Sequence, residues 1–151
     1  MNYRTGLAVL VIGTISSGVS AAGPSWYQLP ERPGYLYFAD EASLNRSGQT
    51  VEVEFLQGGL DSPPGGEHVL LRYRIDCARQ KLQMMPGRVF MDDGSEVPDL
   101  TLPGGPAEVD IDTVSSGKAF YEFACSEGRR QTRVDDPFRL IRDARAEIYG
   151  G

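Results

Sequence analysis

The stretch LLRYRIDCARQKLQ, residues 70–83, contains the strand on which the fold depends. Its apolar and basic residues alternate, which predicts a β-strand with one buried face and one solvated face. The apolar set is Leu71, Tyr73 and Ile75, and the basic set is Arg72 and Arg74. The strand ends at Cys77, so the role of this cysteine is the first question that the sequence raises.

The N-terminal residues follow the order of a secretory signal peptide. Arg4 precedes an apolar run at residues 7–13, and small residues follow it. The run is too short to cross roughly 30 Å of hydrocarbon, which disfavours a membrane helix. The sequence therefore predicts a signal peptide over residues 1–21 and a mature chain that starts at Ala22 or Gly23. We expect a periplasmic or secreted protein with no lipoprotein anchor, because no cysteine lies at the cleavage site.

Two cysteines in an exported chain most simply form one disulfide, so Cys77 is expected to pair with Cys125. On the chain-entropy model, closing a loop of this length stabilises the fold by roughly 4 kcal/mol. A structural zinc ion needs four ligands, which two cysteines and the single histidine, His68, do not supply. A cysteine nucleophile would need His68 close to it in space. The sequence therefore favours a structural disulfide over a metal site or a nucleophile.

Further segments carry strand patterns that are separated by turn residues. GGLDSPPGGE, residues 58–67, is expected to be a loop. Pro86 and Gly87 interrupt a strand pair and indicate a bulge or an edge position, and Asp93-Gly94 indicates a hairpin turn. The predicted strands other than the one at residues 68–77 cover residues 26–29, 35–40, 50–57, 81–85 and 88–93.

The last third of the chain changes to helical patterns. Apolar residues recur at helical spacing within residues 115–125, although Phe-Tyr-Glu-Phe also alternates as in a strand. A better helix starts at Pro137, with Asp135 or Asp136 as its cap, and ends at Gly150. Its expected inner face consists of Phe138, Ile141, Ala144 and Ile148. Strands followed by one or two helices predict an α+β domain with a helix packed on an antiparallel sheet.

No combination of residues predicts an active site. Ser115 and Lys118 match the S-x-x-K motif of penicillin-interacting enzymes, but the S-D-N and K-T-G motifs are missing. His68 is expected at the surface or at a sheet edge, because no positioned serine and aspartate accompany it. Two acidic pairs could bind calcium weakly, although neither fits the EF-hand pattern; these are Asp92 with Asp93, and Asp110 with Asp112. We expect no enzyme activity, no cofactor and no resident metal.

The charge pattern directs attention to the arginines. Removal of Arg4 changes the formal charge from −6 to −7, which argues against a nucleic-acid partner. Residues 126–151 are different, with six arginines against five acids. We expect the tail arginines to be solvated, with Arg139 paired to Asp143 one turn later. The alternative is contact with an acidic partner or anionic lipid through the three that precede the helix; these are Arg129, Arg130 and Arg133.

The order of these features resembles the surface-adhesin protein E-like domain of bacterial envelope proteins. The matching segments are a Trp-Tyr strand, YFADEASLNRSGQTVEVEFL, RYRIDC, a strand pair around a Gly turn, and AFYEFAC. Within them, the residues of the family pattern are Asp40, Ser43, Leu44, Gly48 and the two cysteines. The match covers roughly Trp26 to Cys125.

The resemblance implies an antiparallel sheet of about six strands, with a helix over residues 115–125 on one face and a disulfide that ties this helix to the sheet. It implies a domain over residues 22–125, followed by an arginine-rich tail over 126–151 with a terminal amphipathic helix. For the namesake, it implies adhesion to host matrix and plasma proteins through a basic segment before the first cysteine strand. Here that segment is PPGGEHV, which contains no lysine or arginine.

Two functions are therefore expected. The first is a binding module of the cell envelope or its surroundings, which contacts a protein partner through a cationic patch if the face of Arg72 and Arg74 is open. The second is a periplasmic or secreted accessory protein that docks an envelope partner through its terminal helix. The candidate binding residues are Arg72, Arg74, Arg79, Lys81, Arg129, Arg130 and Arg133.

Overall fold

The structure is a computed structural model that describes residues 23–30, 32–63, 65–105, 107–126 and 132–150. The predicted signal peptide and two candidate binding residues, Arg129 and Arg130, lie outside these ranges. Within them, no helix is long and apolar enough to cross a membrane.

Antiparallel strands form a single sheet. They are β1 (Trp26–Gln28), β2 (Tyr35–Ser47), β3 (Thr50–Gly59), β4 (Glu67–Asp76), β5 (Lys81–Met91), β6 (Glu96–Leu102), β7 (Val109–Asp110) and β8 (Arg133–Val134). Their order is β6-β5-β4-β3-β2-β1-β8, and β7 pairs with the start of β5. The antiparallel sheet is confirmed, but the described residues form eight strands, so the predicted count of about six is wrong. The predicted segments at residues 81–85 and 88–93 form the single strand β5, so three strands were not predicted: β6, β7 and β8. Of these, β7 and β8 have two residues each, too few for a periodic pattern to predict.

The bulge predicted at Pro86 and Gly87 lies inside one continuous strand, β5. The pairing with β4 shifts at this point, because Leu70 lies opposite Arg88 whereas Arg72 lies opposite Met85. The predicted loop over residues 58–67 is wrong at both of its ends, since the glycines at 58 and 59 complete β3 and Glu67 begins β4.

A second irregularity in the sheet is built by Asp40 and Ser43, two residues of the resemblance. The register of β2 against β3 shifts between Asp40 and Asn45. Asp40 Oδ1 accepts hydrogen bonds from the backbone N–H groups of Ser25 and Ala42, at 2.7 and 3.0 Å. The Ser43 hydroxyl donates to the Asp40 carbonyl at 2.7 Å and accepts from the Glu54 N–H at 2.8 Å. These two side chains therefore satisfy backbone groups that the bulge leaves without strand partners.

The first helix, α1 (Gly117–Cys125), packs on one face of the sheet. Its Phe120 ring stacks on Phe55 of β3, with ring centroids 4.0 Å apart. The predicted disulfide between Cys77 and Cys125 is confirmed, with a Cα–Cα distance of 5.6 Å. It joins the last turn of α1 to the end of β4, where the Tyr121 hydroxyl also donates to the Cys77 carbonyl at 3.1 Å.

The second helix, α2 (Pro137–Tyr149), packs on the opposite face. The predicted inner face is confirmed for Phe138, Ile141 and Ala144 but is wrong for Ile148, which is 57% exposed. Its cap is Asp136, whose side chain accepts a hydrogen bond from the Arg139 N–H at 2.9 Å. Ile141 is fully buried against β3, where a Cβ added to Gly58 would lie 2.6 Å from Ile141 Cγ1. Glycine at this position therefore allows the helix to approach the strand closely.

The two helices cover opposite ends of the sheet as well as opposite faces. The α1 core includes Ile75 and Leu82, near the disulfide, whereas α2 lies over Gly58, at the other end of β3. The sequence predicts a helix on one face of the sheet, whereas the structure has one helix on each face. Each face of the sheet keeps one half that neither α1 nor α2 covers, as the exposed side chains of Arg72 and Tyr35 show.

Candidate functional site

A buried polar cluster lies between α2 and the sheet. It consists of His68, Asp92 and Arg145, and the side chains of His68 and Arg145 are fully buried. His68 Nε2 lies 2.5 Å from Asp92 Oδ1, and Arg145 Nη1 donates to the same oxygen at 2.9 Å. Arg145 also donates to the carbonyls of Gly59 at 2.7 Å and Glu67 at 3.1 Å. The cluster thus connects α2 with β3, β4 and the turn after β5.

Within this cluster Arg145 forms an ion pair with Asp92, and the pKa of His68 is lowered, which favours its neutral form. Burial is the main cause that lowers the pKa of His68, and the positive charge of Arg145 lowers it further. The hydrogen bond and the charge of Asp92 act in the opposite direction, and Arg142 adds a smaller lowering contribution. A neutral His68 donates from Nε2 to Asp92, and its ring lies edge-on to Phe138 at 5.5 Å between centroids.

Two sequence-based expectations fail at this cluster. The expectation that His68 lies at the surface is wrong, and Arg145 is not one of the solvated arginines of the tail. Arg145 tolerates burial because all its bonding groups have partners inside the fold, whereas His68 is bonded through Nε2 and its Nδ1 is buried with no hydrogen-bond partner among the described residues. Since no solvent reaches His68 or Arg145, we interpret the cluster as a structural clamp for α2.

Three of the four acids that were considered for calcium, Asp92, Asp93 and Asp110, have protein partners. Asp92 Oδ2 accepts a hydrogen bond from the Gly65 N–H, and Asp92 Oδ1 accepts the bonds from His68 and Arg145. Asp93 Oδ1 accepts from the backbone N–H of Ser95 at 2.8 Å, and Asp110 pairs with Lys81 Nζ at 2.7 Å. In the part of the chain that the structure describes, no group of three histidine, cysteine or acidic side chains could hold a metal ion.

The uncovered half of the α2 face carries alternating acids and arginines. We call this surface the arginine face; it consists of Glu52, Glu54, Arg72, Arg74 and Arg88. Glu52 lies between two arginines and accepts from Arg72 Nη2 and Arg74 Nη2, each at 2.8 Å. Arg88 Nη2 donates to Glu54 at 3.3 Å. Arg72 and Arg74 therefore lie close together on an open face, as predicted, but Glu52 lies between their guanidinium groups.

The arginines of this face lie further out than its acids. The side chains of Arg72, Arg74 and Arg88 are 49%, 44% and 43% exposed, whereas those of Glu52 and Glu54 are 21% and 24% exposed. The hydrogen bond from Arg74 is the main cause that lowers the pKa of Glu52, so this acid stays ionised beneath the guanidinium groups. An approaching molecule therefore meets guanidinium groups first, although the positive and negative charges nearly balance.

A pocket of about 290 Å³ lies at the border between the arginine face and α2. We call it the border pocket. Its apolar walls are the side chains of Trp26, Leu70, Phe90 and Phe138. The rest of the lining is Pro24, Asp40, Glu54, Arg88 and Gly94. Arg88 also lies 5.4 Å from the centroid of the Phe90 ring. The arginine face and the border pocket thus share Glu54 and Arg88.

The remaining candidate cations are not part of the arginine face, although Lys81, opposite Asp76 at the start of β5, is on the same side of the sheet as Arg74. Arg79 follows β4 and pairs with Glu108 at 2.9 Å, and Lys81 pairs with Asp110. Arg133 lies in β8, at the opposite edge of the sheet from β6. Sequence reasoning missed Arg88, because uninterrupted alternation would place it on the face of Leu82 and Met84, and the bulge at Pro86 and Gly87 moves it to the face of Arg72.

Comparisons of the chain with protein-family models, with curated proteins and with solved structures find no match. The resemblance to the surface-adhesin protein E-like domain therefore stays a hypothesis. The geometry of the arginine face and the border pocket has to support any functional proposal.

Proposed function

We propose that this chain is an exported, non-enzymatic binding protein of the cell envelope or its surroundings. It recognises another protein through the arginine face and the border pocket. The observation that supports this proposal is the position of half-exposed guanidinium groups beside an aromatic-lined pocket, on a half of the sheet that no helix covers. Arginine and aromatic side chains dominate the energetics of many protein interfaces.

The chemistry of the surface suggests a partner segment that carries acidic side chains around one apolar side chain. A guanidinium group has five N–H donors, and Arg72 uses one nitrogen, Nη2, for Glu52. The other donors can bind a carboxylate of the partner while the bond to Glu52 stays in place. An apolar side chain of the partner would fill the border pocket against Trp26 and Phe138.

The signal peptide predicted from the sequence, the disulfide and the resemblance support an extracytoplasmic partner. Disulfides persist in oxidising compartments, and the Cys77–Cys125 bond is compatible with export. The resemblance to an adhesin suggests a host extracellular protein, and another envelope protein is the second source of a partner.

A cross-linked pull-down from envelope and extracellular fractions tests the proposal. The variant Arg72→Gln with Arg74→Gln should lose a protein that the wild type captures, because both outer guanidinium groups are removed. Arg79→Gln is the matched control, since it removes an exposed, ion-paired arginine outside the arginine face. Equal capture of every protein by the wild type and both variants would contradict the proposal.

A second candidate function is that of an accessory protein that docks through α2. Its outer surface carries exposed apolar side chains, Leu140, Ile148 and Tyr149. Deleting α2 would also remove the buried Arg145, so point variants give a cleaner test. If Leu140→Glu with Ile148→Glu abolishes capture while the arginine variants do not, docking through the helix is the correct function.

A further inference from the structure

The face that carries α1 contains a cleft of about 260 Å³ beside the first turn of the helix. The cleft lies on the half of this face that α1 leaves uncovered. Its polar lining comes from β2, β3, β4 and the residues before α1, and consists of Tyr35, Tyr37, Gln57, Tyr73, Ser115 and Ser116. Tyr35 is exposed at the rim, whereas Tyr37 and Tyr73 are buried.

The hydroxyl group of Ser116 is the unusual feature of this cleft. Ser116 holds the N-cap position of α1, where a serine side chain ordinarily accepts a hydrogen bond from the backbone of the first turn. Its side chain makes no such capping bond, although the residue is only 2% exposed. Among the described residues, Ser116 Oγ is buried and has no hydrogen-bond partner. A buried hydroxyl without a partner is costly, so a ligand or a water molecule that supplies a hydrogen bond to it would be favoured.

The chemistry of the lining restricts the ligand. Among the described residues that line the cleft, none carries a charge. Tyrosine rings provide apolar surfaces, and the rings of Tyr35 and Tyr37 lie 6.1 Å apart at an angle of 34°. Serine and tyrosine hydroxyls and the Gln57 amide both donate and accept hydrogen bonds. Burial and the neighbouring Tyr37 raise the pKa of Tyr73, so this phenol keeps its proton and can donate it.

We propose that the tyrosine-lined cleft binds a sugar ring of a neutral glycan. A pyranose ring has an apolar C–H surface that can pack on tyrosine, and hydroxyl groups that both donate and accept. One of these hydroxyls would bind Ser116 Oγ, and others would bind the amide of Gln57. A proline-rich peptide offers carbonyl acceptors but few donors, so it would use the mixed lining less completely. Because the cleft lies on the other face from the arginine face, this proposal and the proposed protein-binding function can fail separately.

The test is a titration of the oxidised, ¹⁵N-labelled protein with three neutral oligosaccharides: maltotriose, cellotriose and tri-N-acetylchitotriose. We expect at least one of them to shift backbone resonances at residues 35–37 and 115–117. In the variant Ser116→Ala, the affinity should fall about three- to tenfold, as expected for one lost hydrogen bond. The melting temperature should be unchanged or higher, because the variant removes a buried hydroxyl that has no partner. Tyr149→Leu removes an exposed tyrosine on α2 and should bind as the wild type does.

Three results would overturn the proposal. The first is that none of the oligosaccharides shifts the cleft resonances. The second is that Ser116→Ala binds sugar as tightly as the wild type does. The third is that the cleft binds a proline-rich peptide, or tetramethylammonium as a probe for cations that bind aromatic rings, more tightly than every sugar.

Discussion

Replacing Arg145 with methionine should weaken the attachment of α2 to the sheet and lower the stability of the protein. Methionine keeps an apolar stem of similar length, but Asp92 then loses its buried counter-charge, and the carbonyls of Gly59 and Glu67 lose a donor. Removing one partner of a buried ion pair costs about 3–5 kcal/mol. Domains of this size are stable by about 5–15 kcal/mol, so the variant should lose a large share of its stability.

Urea denaturation gives the measurement. Trp26 is the single tryptophan of the chain, and it shares the core cluster of α2, so its fluorescence reports on this region. With an m value of about 2 kcal/mol per molar urea, the midpoint should fall by about 2 M. The matched control is Arg139→Met, an exposed arginine on the same helix, which should change the stability by less than about 0.5 kcal/mol.

A double variant separates the lost charge pair from lost packing. Asp92→Asn removes the carboxylate that Arg145→Met leaves without a counter-charge, so the double variant should be more stable than Arg145→Met alone. If Arg145→Met costs no more than Arg139→Met, the ion pair does not hold the helix and our explanation is wrong.

Three further predictions concern the same framework. Gly58→Ala should destabilise the protein by about 1–3 kcal/mol through overpacking against Ile141, as measured by urea denaturation, whereas Gly23→Ala, in open space, should have no effect. Cys77→Ser should cost roughly 4 kcal/mol and increase hydrogen exchange in α1, and a titratable thiol in the oxidised wild type would contradict the disulfide. The lowered pKa of His68 should make stability fall as the pH drops below the usual value of 6.5, because the unfolded state then binds a proton that the folded state does not. This dependence should continue down to the lowered pKa of the folded state and be weaker in His68→Gln; an unchanged pH profile in that variant would refute the assignment.

The strand alternation and the α2 cap were accessible from the sequence because each depends on a local pattern, and the disulfide was accessible because the chain has two cysteines. The sequence did not show how Arg145 is used, since a buried arginine and a solvated one look alike when the partner is distant in the chain. Its partner, Asp92, lies 53 residues away, and His68 lies 24 residues from Asp92. Only the register of the sheet and the placement of α2 bring the three together.

The arginine face could be predicted only in part, because it depends both on local alternation and on the register between strands. The alternation in β4 correctly predicts that Arg72 and Arg74 share a face. It does not reveal that Glu52 lies between them, because that position depends on the register with β3. The tyrosine-lined cleft depends on where α1 begins, which a pattern that also fits a strand cannot determine.

Site-specific photo-crosslinking is the most direct test of the proposed protein-binding function. A photoreactive amino acid at Gln83, which lies opposite Arg74 on the arginine face, reports on partners of this face. The same group at Asp143, exposed on α2, reports on docking through the helix. We predict a cross-linked protein from position 83 that disappears in the Arg72→Gln, Arg74→Gln background and is absent from position 143. A partner captured from position 143 and not from position 83 would contradict the proposed function.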